Sequence, residues 1–335
     1  MPPQTIIHMI DDATPGGIMR VLDHIRTHPN LSGHLNHEIR QIKRGRLSAP
    51  RLQGDLIVSH LAISWRALPF LIQLRALNAH IPILHVEHSY TAGYVAHNVP
   101  SPLRFYTLLR TAYALFDKVA AVSDAQRDWL AARELVDAAR LELLRSTVDV
   151  MPFVRLSPIK HAPKAVGAIG RLERQKGFDL LIRAFRVCNQ ADLRLEIFGD
   201  GAERVALEKL AGGDSRITFH GHYADQVAIM AAVDVVAMPS RWEACGLVAL
   251  EARAAGRGVL VSGVDGLADH LHDGAKRVEP TISGWVSALE ALEAHPLAQA
   301  SHARLRAMRT PDASIEAWLA LIAGMTAPQQ SQRAA

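Results

Sequence analysis

The feature that most constrains this chain is an alternation. Short runs rich in β-branched residues recur between stretches with helical spacing, along most of the sequence. Thr5 to Ile10, Asp55 to Leu61, Ile81 to Val86, Lys118 to Val122 and Leu141 to Leu144 read as strands in the first half. Between them, Ile18, Val21, Leu22 and Ile25 fall at i, i+3, i+4 and i+7, one face of a helix. The second half repeats the pattern with strands at Ala165 to Ile169, Leu193 to Phe198, Arg216 to Phe219, Asp234 to Met238 and Gly258 to Ser262. Phe178, Leu181, Ile182 and Phe185 share a helix face there. Strands alternating with helices imply parallel βαβ units. The stretch Met151 to Pro163, with Pro152, Pro158 and Pro163, interrupts the alternation and reads as a linker. The expectation is an α/β chain of two doubly wound, Rossmann-like domains facing a central cleft. Their spans are 1–155 and 160–311, with a terminal helix at about 312–328 packing back on the first. Ligands of such sheets bind beyond the carboxyl ends of strands, so residues just after strands carry most weight.

Composition narrows the function classes. A chain of 335 residues with half its residues apolar builds real cores. The formal charge of +4 is a mild excess. Its densest run, Lys43-Arg44-Gly45-Arg46, reads as a solvated loop or as a patch for phosphate or lipid. No basic stretch with interleaved aromatics points to nucleic acid. Two cysteines, Cys188 and Cys245, make no disulfide framework and suggest a reducing compartment. The N-terminal stretch lacks a signal-peptide pattern, and no apolar run is long enough to span a bilayer. The expectation is a cytoplasmic protein. Ser101 to Lys118, rich in Leu, Phe and Tyr with Arg104 and Arg110, reads as core lining or as a peripheral contact with the inner membrane surface.

Three strand ends carry chemistry. After Asp234 to Met238 comes Pro239-Ser240-Arg241-Trp242-Glu243-Ala244-Cys245-Gly246-Leu247, then a helical pattern carrying Glu251. Unpaired N–H groups at a helix start attract phosphate, and carboxylates accept from vicinal hydroxyls. Eight helical residues would separate Glu243 from Glu251 by roughly 12 Å. The same acids also suit a helix dipole with no ligand at all. After Ala165 to Ile169, Arg171 and Lys176 offer two cations for a diphosphate, or form a solvated basic turn. After the first strand lies Gly16-Gly17.

Together these elements resemble the retaining glycosyltransferases of the GT-B fold, family 4. Glu243 and Glu251 match the family's E-x7-E pattern. Gly170-Arg171-Leu172 with Lys176-Gly177 resembles its G-R-x(4,5)-K-G element, and Phe198-Gly199-Asp200-Gly201 its glycine turn. Gly16-Gly17-Ile18 resembles the N-terminal glycine loop, Val122-Ser123 a later strand end, and His88 the family's active-site histidine. The resemblance extends across most of the chain. It implies transfer of a sugar from a UDP- or GDP-sugar, with retention and without a metal or other cofactor, to a saccharide or lipid-linked acceptor in polysaccharide or glycolipid synthesis. Glu243 would then hold sugar hydroxyls and Glu251 the ribose. Cys245, Gly246 and Leu247 would offer backbone N–H groups, Arg171 and Lys176 would bind the diphosphate, and Gly16 and Gly17 would allow close approach. Gly201 belongs to the same donor set, and His88 would contact the donor sugar.

The chain departs from that pattern at Glu243-Ala244-Cys245-Gly246, at Arg145-Ser146-Thr147-Val148-Asp149 and at Ser262-Gly263-Val264-Asp265-Gly266-Leu267. These departures bear on donor identity. A sugar-nucleotide 2-epimerase and a non-catalytic nucleotide-sugar-binding protein are the alternatives. Ten of the seventeen histidines lie in the first hundred residues, yet none sits in a metal-binding context. They read as surface or capping groups apart from His88, with His60 placed to line the cleft. Cys245 has no adjacent base in sequence and reads as a small residue at a helix start rather than a nucleophile.

Overall fold

A computed structural model of the chain describes residues 3–14, 16–292 and 297–327. Residues 1, 2, 15, 293–296 and 328–335 lie outside the described residues. The chain divides into two compact units. Unit 1 comprises Met1–Tyr90, Asn98–Val148 and Asp312–Ala335, and unit 2 comprises Thr91–His97 and Asp149–Pro311.

Unit 1 holds a six-stranded parallel sheet of β1 (Gln4–Ile10), β2 (Leu35–Gln41), β3 (Leu56–Ser59), β4 (Ile83–Glu87), β5 (Lys118–Ala121) and β6 (Leu141–Leu143), in the order β2-β1-β3-β4-β5-β6. The central strands β3 and β4 are buried along their whole length, as strands covered on both faces must be. The helix Gly17–Thr27 buries Val21, Leu22 and Ile25, the face read from spacing. In the helix Pro102–Tyr113, Tyr106, Leu108, Leu109, Ala112 and Tyr113 turn inward, while Leu103 stays exposed. Arg104 lies over the Trp65 ring, and Arg110 donates to the carbonyls of Arg133 and Glu134. The basic run is likewise engaged, because Arg44 pairs with Asp11 at 3.2 Å and Asp12 at 3.5 Å.

Unit 2 holds a second parallel sheet of β7 (Ala165–Ile169), β8 (Arg194–Phe198), β9 (Ile217–Gly221), β10 (Val235–Met238), β11 (Gly258–Val261) and β12 (Lys276–Arg277), in the order β12-β11-β10-β7-β8-β9. Alternate residues feed two cores. Val166, Ala168, Leu195, Ile197, Val235, Ala237 and Leu260 join one cluster, and Ile169, Val236, Met238, Val259 and Val261 join the other. The helix Phe178–Val187 closes the first core with Phe178, Leu181, Ile182, Ala184 and Phe185. Each large side chain among them contributes about 1.5–3 kcal/mol on burial.

Three features differ from the sequence expectation. β2 and β12 are extra strands at sheet edges. The expected linker begins with a helical turn, Met151–Val154, whose Phe153 is buried with Ile229 and Met230 in a core of unit 2. The terminal helix runs from Leu297 to Thr326 with Pro311 inside it, and Ile315, Trp318 and Ile322 are buried. No helix among the described residues is long and apolar enough to cross a membrane.

Candidate functional site

The strand order of unit 2 dictates where its loops converge. From β7 the chain proceeds to β8 and β9 on one side; from β10 it proceeds to β11 and β12 on the other. The order therefore reverses between β7 and β10, and their carboxyl-end loops part there to leave a crevice for a ligand. The loop after β7 carries Arg171 and Lys176, and the loop after β10 carries Glu243.

Glycines let these loops approach. Gly199 follows β8 with φ 137°, and a Cβ there would lie 1.9 Å from the Gly170 carbonyl oxygen. Gly177 takes φ 66° at the start of the helix Phe178–Val187, where a Cβ would lie 2.2 Å from the Pro239 carbonyl oxygen. Both approaches exclude any side chain, whatever its chemistry. Hydrogen bonds then tie loop to loop. Arg241 N–H donates to the Gln175 carbonyl at 2.8 Å, and Gln175 Nε2 donates to the Trp242 carbonyl at 3.0 Å. Arg241 also donates to the Arg174 carbonyl and to Asp179 Oδ2, each at 2.7 Å. Burial raises the Asp179 pKa, but the Arg241 hydrogen bond and charge outweigh it, and the carboxyl ends below its ordinary range.

Within this frame Lys176 Nζ meets Glu243 Oε2 at 2.5 Å, and the two side chains are only 15% and 14% exposed. Ser240 Oγ donates to the same carboxylate oxygen at 3.3 Å. Arg171, by contrast, is 69% exposed and among the described residues pairs only with Glu173, at 3.3 Å. Its guanidinium is free to move to an anion at little cost. Gly201 sits in the turn after β8, with its N–H donated to Asp200 Oδ1.

The helix on the β10 side runs from Leu247 to Ala254, capped by Gly246 at φ 85°. The interval from Glu243 to Glu251 is therefore half loop and half helix, not eight helical residues. Glu251 is fully buried within that helix. His270 sets the geometry of the cap. Its Nε2 lies 2.8 Å from the Cys245 carbonyl, which can only accept, so Nε2 carries the proton. Nδ1 then accepts from Arg253 Nη2 at 3.0 Å. Burial, aided by the Arg253 charge, lowers the His270 pKa to about 4, so the ring is neutral at pH 7. Because the peptide is trans and planar, the Gly246 N–H points opposite to the held Cys245 carbonyl, away from His270.

Asp265 was not singled out from sequence, although its loop was seen to be unusual. Its carboxylate accepts from Thr91 Oγ1 at 2.7 Å, Gly93 N–H at 3.0 Å and Glu243 N–H at 3.3 Å. It does so from a left-handed backbone, φ 45°, a strain of about 1–3 kcal/mol held by those bonds. Ser240, Gln175 and Arg241 were missed as well, and His270, read as a surface or capping group, is buried. A polar residue in a loop gives no sign of its partner until the loops meet.

Gly16, Gly17 and His88 belong to unit 1. Gly16 precedes the helix Gly17–Thr27 in extended backbone, and a Cβ there would touch only the Thr14 carbonyl at 3.7 Å. The fold itself thus places no steric demand on Gly16. His88 follows β4, is half-buried, and hydrogen-bonds His60 at 2.8 Å.

Residues 163–295 match the family model described as Glycosyl transferases group 1. The matched stretch lies wholly within unit 2. It contains every strand of unit 2 and the Lys176–Glu243 pair. Among curated relatives, granule-bound starch synthase 1 of Pisum sativum is 35% identical over 124 residues, covering 35% of this chain and 20% of that protein. An uncharacterized glycosyltransferase of Methanocaldococcus jannaschii is 37% identical over 157 residues, 45% of this chain and 38% of that protein. D-inositol 3-phosphate glycosyltransferase of Arthrobacter sp. is 28% identical over 304 residues, 82% of this chain and 70% of its own length. The chain thus spans only 20% and 38% of the first two relatives.

Solved structures show the fold. An α,α-trehalose-phosphate synthase (UDP-forming) from Burkholderia vietnamiensis superposes with TM-score 0.73 at 16% identity, covering 99% of both chains. Anabaena HepE, crystallised with UDP and glucose, superposes with TM-score 0.72 at 18% identity, over 96% of this chain and 99% of that one. The fold is GT-B, as the sequence led us to expect.

Proposed function

We propose that this protein is a retaining glycosyltransferase that takes its sugar from a nucleotide-diphosphate sugar, a UDP-sugar in the first instance. The observation that carries the reading is the Lys176–Glu243 pair at the switch point of unit 2, inside the stretch that matches the group 1 model. The UDP found with HepE supports the choice of base. The acceptor is proposed to be a saccharide or a lipid-linked saccharide, reached from the cytoplasmic face of a membrane.

Chemistry assigns the roles. As the diphosphate leaves, negative charge grows on its oxygens while the sugar carbon becomes oxocarbenium-like. A cation fixed in advance lowers that barrier, and losing one such contact costs about 10²–10³ in rate. Lys176 is the fixed cation and Arg171 the mobile one, so the diphosphate needs no metal. An arriving diphosphate competes with Glu243 for Lys176, which releases the Glu243 carboxylate to accept sugar hydroxyls. Glu251 for the ribose, N–H groups at Cys245, Gly246 and Leu247, close approach at Gly16, Gly17 and Gly201, and His88 toward the sugar complete the proposal from the family resemblance.

Thermal denaturation with a panel of nucleotides and nucleotide sugars tests it. A bound donor at 100 times its Kd adds about 2.7 kcal/mol, a readily measured rise in Tm. Stabilisation by UDP-sugars, followed by transfer to a saccharide acceptor, is the expected result. No response to any nucleotide or nucleotide sugar overturns the reading. An epimer formed from donor alone moves the protein to the epimerase class.

A further inference from the structure

Four histidines of unit 1 form one hydrogen-bonded row. His37 Nδ1 lies 3.0 Å from His8 Nε2, His8 Nδ1 lies 3.1 Å from His60 Nε2, and His60 Nδ1 lies 2.8 Å from His88 Nε2. Neighbouring rings are 5.1–5.4 Å apart and inclined by only 20–29°. Strand register builds the row. His8 pairs with Ile39 of β2 and Val58 of β3, and Val58 pairs with Leu84 of β4. His37, His60 and His88 lie an even number of residues from those partners, so all four share one face of the sheet. Each comes from one of the four adjacent strands β2, β1, β3 and β4, or from just past its end.

A neutral imidazole has one N–H and one bare nitrogen. In an unbroken row each ring must donate one way and accept the other, so only two arrangements exist and all four tautomers change together. The far end chooses between them. His37 Nε2 is buried and has no hydrogen-bond partner among the described residues. A buried N–H without an acceptor is the rarer and costlier orphan, whereas a bare nitrogen there loses less. The Arg26 charge acting on His37 also disfavours an N–H pointing out of that end. His37 therefore donates from Nδ1 to His8, His8 to His60, and His60 to Nε2 of His88.

We propose that His37, His8 and His60 are positioning residues that hold His88 as the Nδ1–H tautomer, a neutral hydrogen-bond donor for a substrate oxygen. His88 makes no hydrogen bond except to His60 among the described residues, so its Nδ1–H is available. Burial keeps the row neutral. It lowers His8 to about 3, and His37 and His88 to about 4, and places His60 well below its ordinary value. Beyond the row, Glu87 pulls His88 up and His85 pushes it down, while the Trp318 ring lies beside His8. The substrate half of this inference rests on the glycosyltransferase reading; the tautomer half does not.

The test is a long-range nitrogen–proton correlation spectrum of the full-length, 15N-labelled, ligand-free protein at pH 7. The expected spectrum shows a pyrrole-like Nδ1 and a pyridine-like Nε2 for His88. The reverse pattern, or an imidazolium, overturns the proposal without any variant. His37→Asp places an acceptor-only group at the end of the row and is expected to reverse all three remaining tautomers. An unchanged His88 in folded His37→Asp also overturns it. In transfer assays His37→Asp should lower kcat about 100-fold, the scale of one lost donor, with acceptor KM unchanged. An intact kcat with a reversed His88 refutes the substrate role. Absence of any nucleotide binding by the wild type refutes the glycosyltransferase reading instead, and leaves the tautomer result standing.

Discussion

Lys176 Nζ and Glu243 Oε2 meet at 2.5 Å where the strand order of unit 2 reverses, each held by a different strand-end loop. The pair joins the two loops that flank the crevice, and it occupies the cation that a diphosphate would need.

Replacing either partner should therefore reveal both roles. Lys176→Ala is expected to reduce kcat for transfer by about 10²–10³. A double-mutant cycle with Glu243→Gln, read by urea denaturation, should return a coupling of about 0.5–3 kcal/mol. Additive effects in that cycle would show that the two side chains do not interact in solution.

Gly16 and Gly199 separate two uses of glycine. Gly16→Ala should leave Tm almost unchanged, because a Cβ has room beside Thr14 and φ is extended. Its effect should fall on the Kd for donor. Gly199→Ala brings a Cβ to 1.9 Å from a backbone oxygen and should prevent a stable fold. A large loss of Tm in Gly16→Ala would contradict this division.

Gly246→Ala should cost stability before it costs binding. Its left-handed backbone alone carries about 1–2 kcal/mol for an L-residue. A Cβ there also lies 2.6 Å from Leu267 Cδ2. A fall in the urea midpoint with unchanged slope is the expected signature.

His270 predicts a pH window. Its folded pKa of about 4 lies below the value of 6.5 expected when unfolded. The unfolded state then binds more protons between those values, so its contribution is complete above pH 6.5 and is lost as pH falls toward 4. The shift corresponds to about 3 kcal/mol. His8, His37, His60 and His88 act in the same direction, so the measurement is a difference. The stability of His270→Leu should fall less steeply than wild type between pH 6.5 and 4. Parallel pH profiles would remove His270 from the account.

Much of the fold was legible because a buried strand advertises itself. Ala165–Ile169 was placed to the residue, and other central strands to within a few, since their apolar runs have no other use. β2 was missed because its sequence, LNHEIRQ, lies at a sheet edge and keeps polar residues. β12 is two charged residues long and has no pattern to find. Lys176 and Glu243 were legible as motif residues, but their contact was not, because 67 positions separate them.

By itself, then, the sequence determined the parallel α/β character of both halves, the face each helix would bury, and the loops that would carry chemistry. Hydrophobic period and turn residues encode those locally. Only the tertiary structure decided which loops meet, that His270 orients the Cys245 carbonyl, and that four histidines from four strands form one row. Those relations depend on strand order and register, which bring together residues that no local pattern connects.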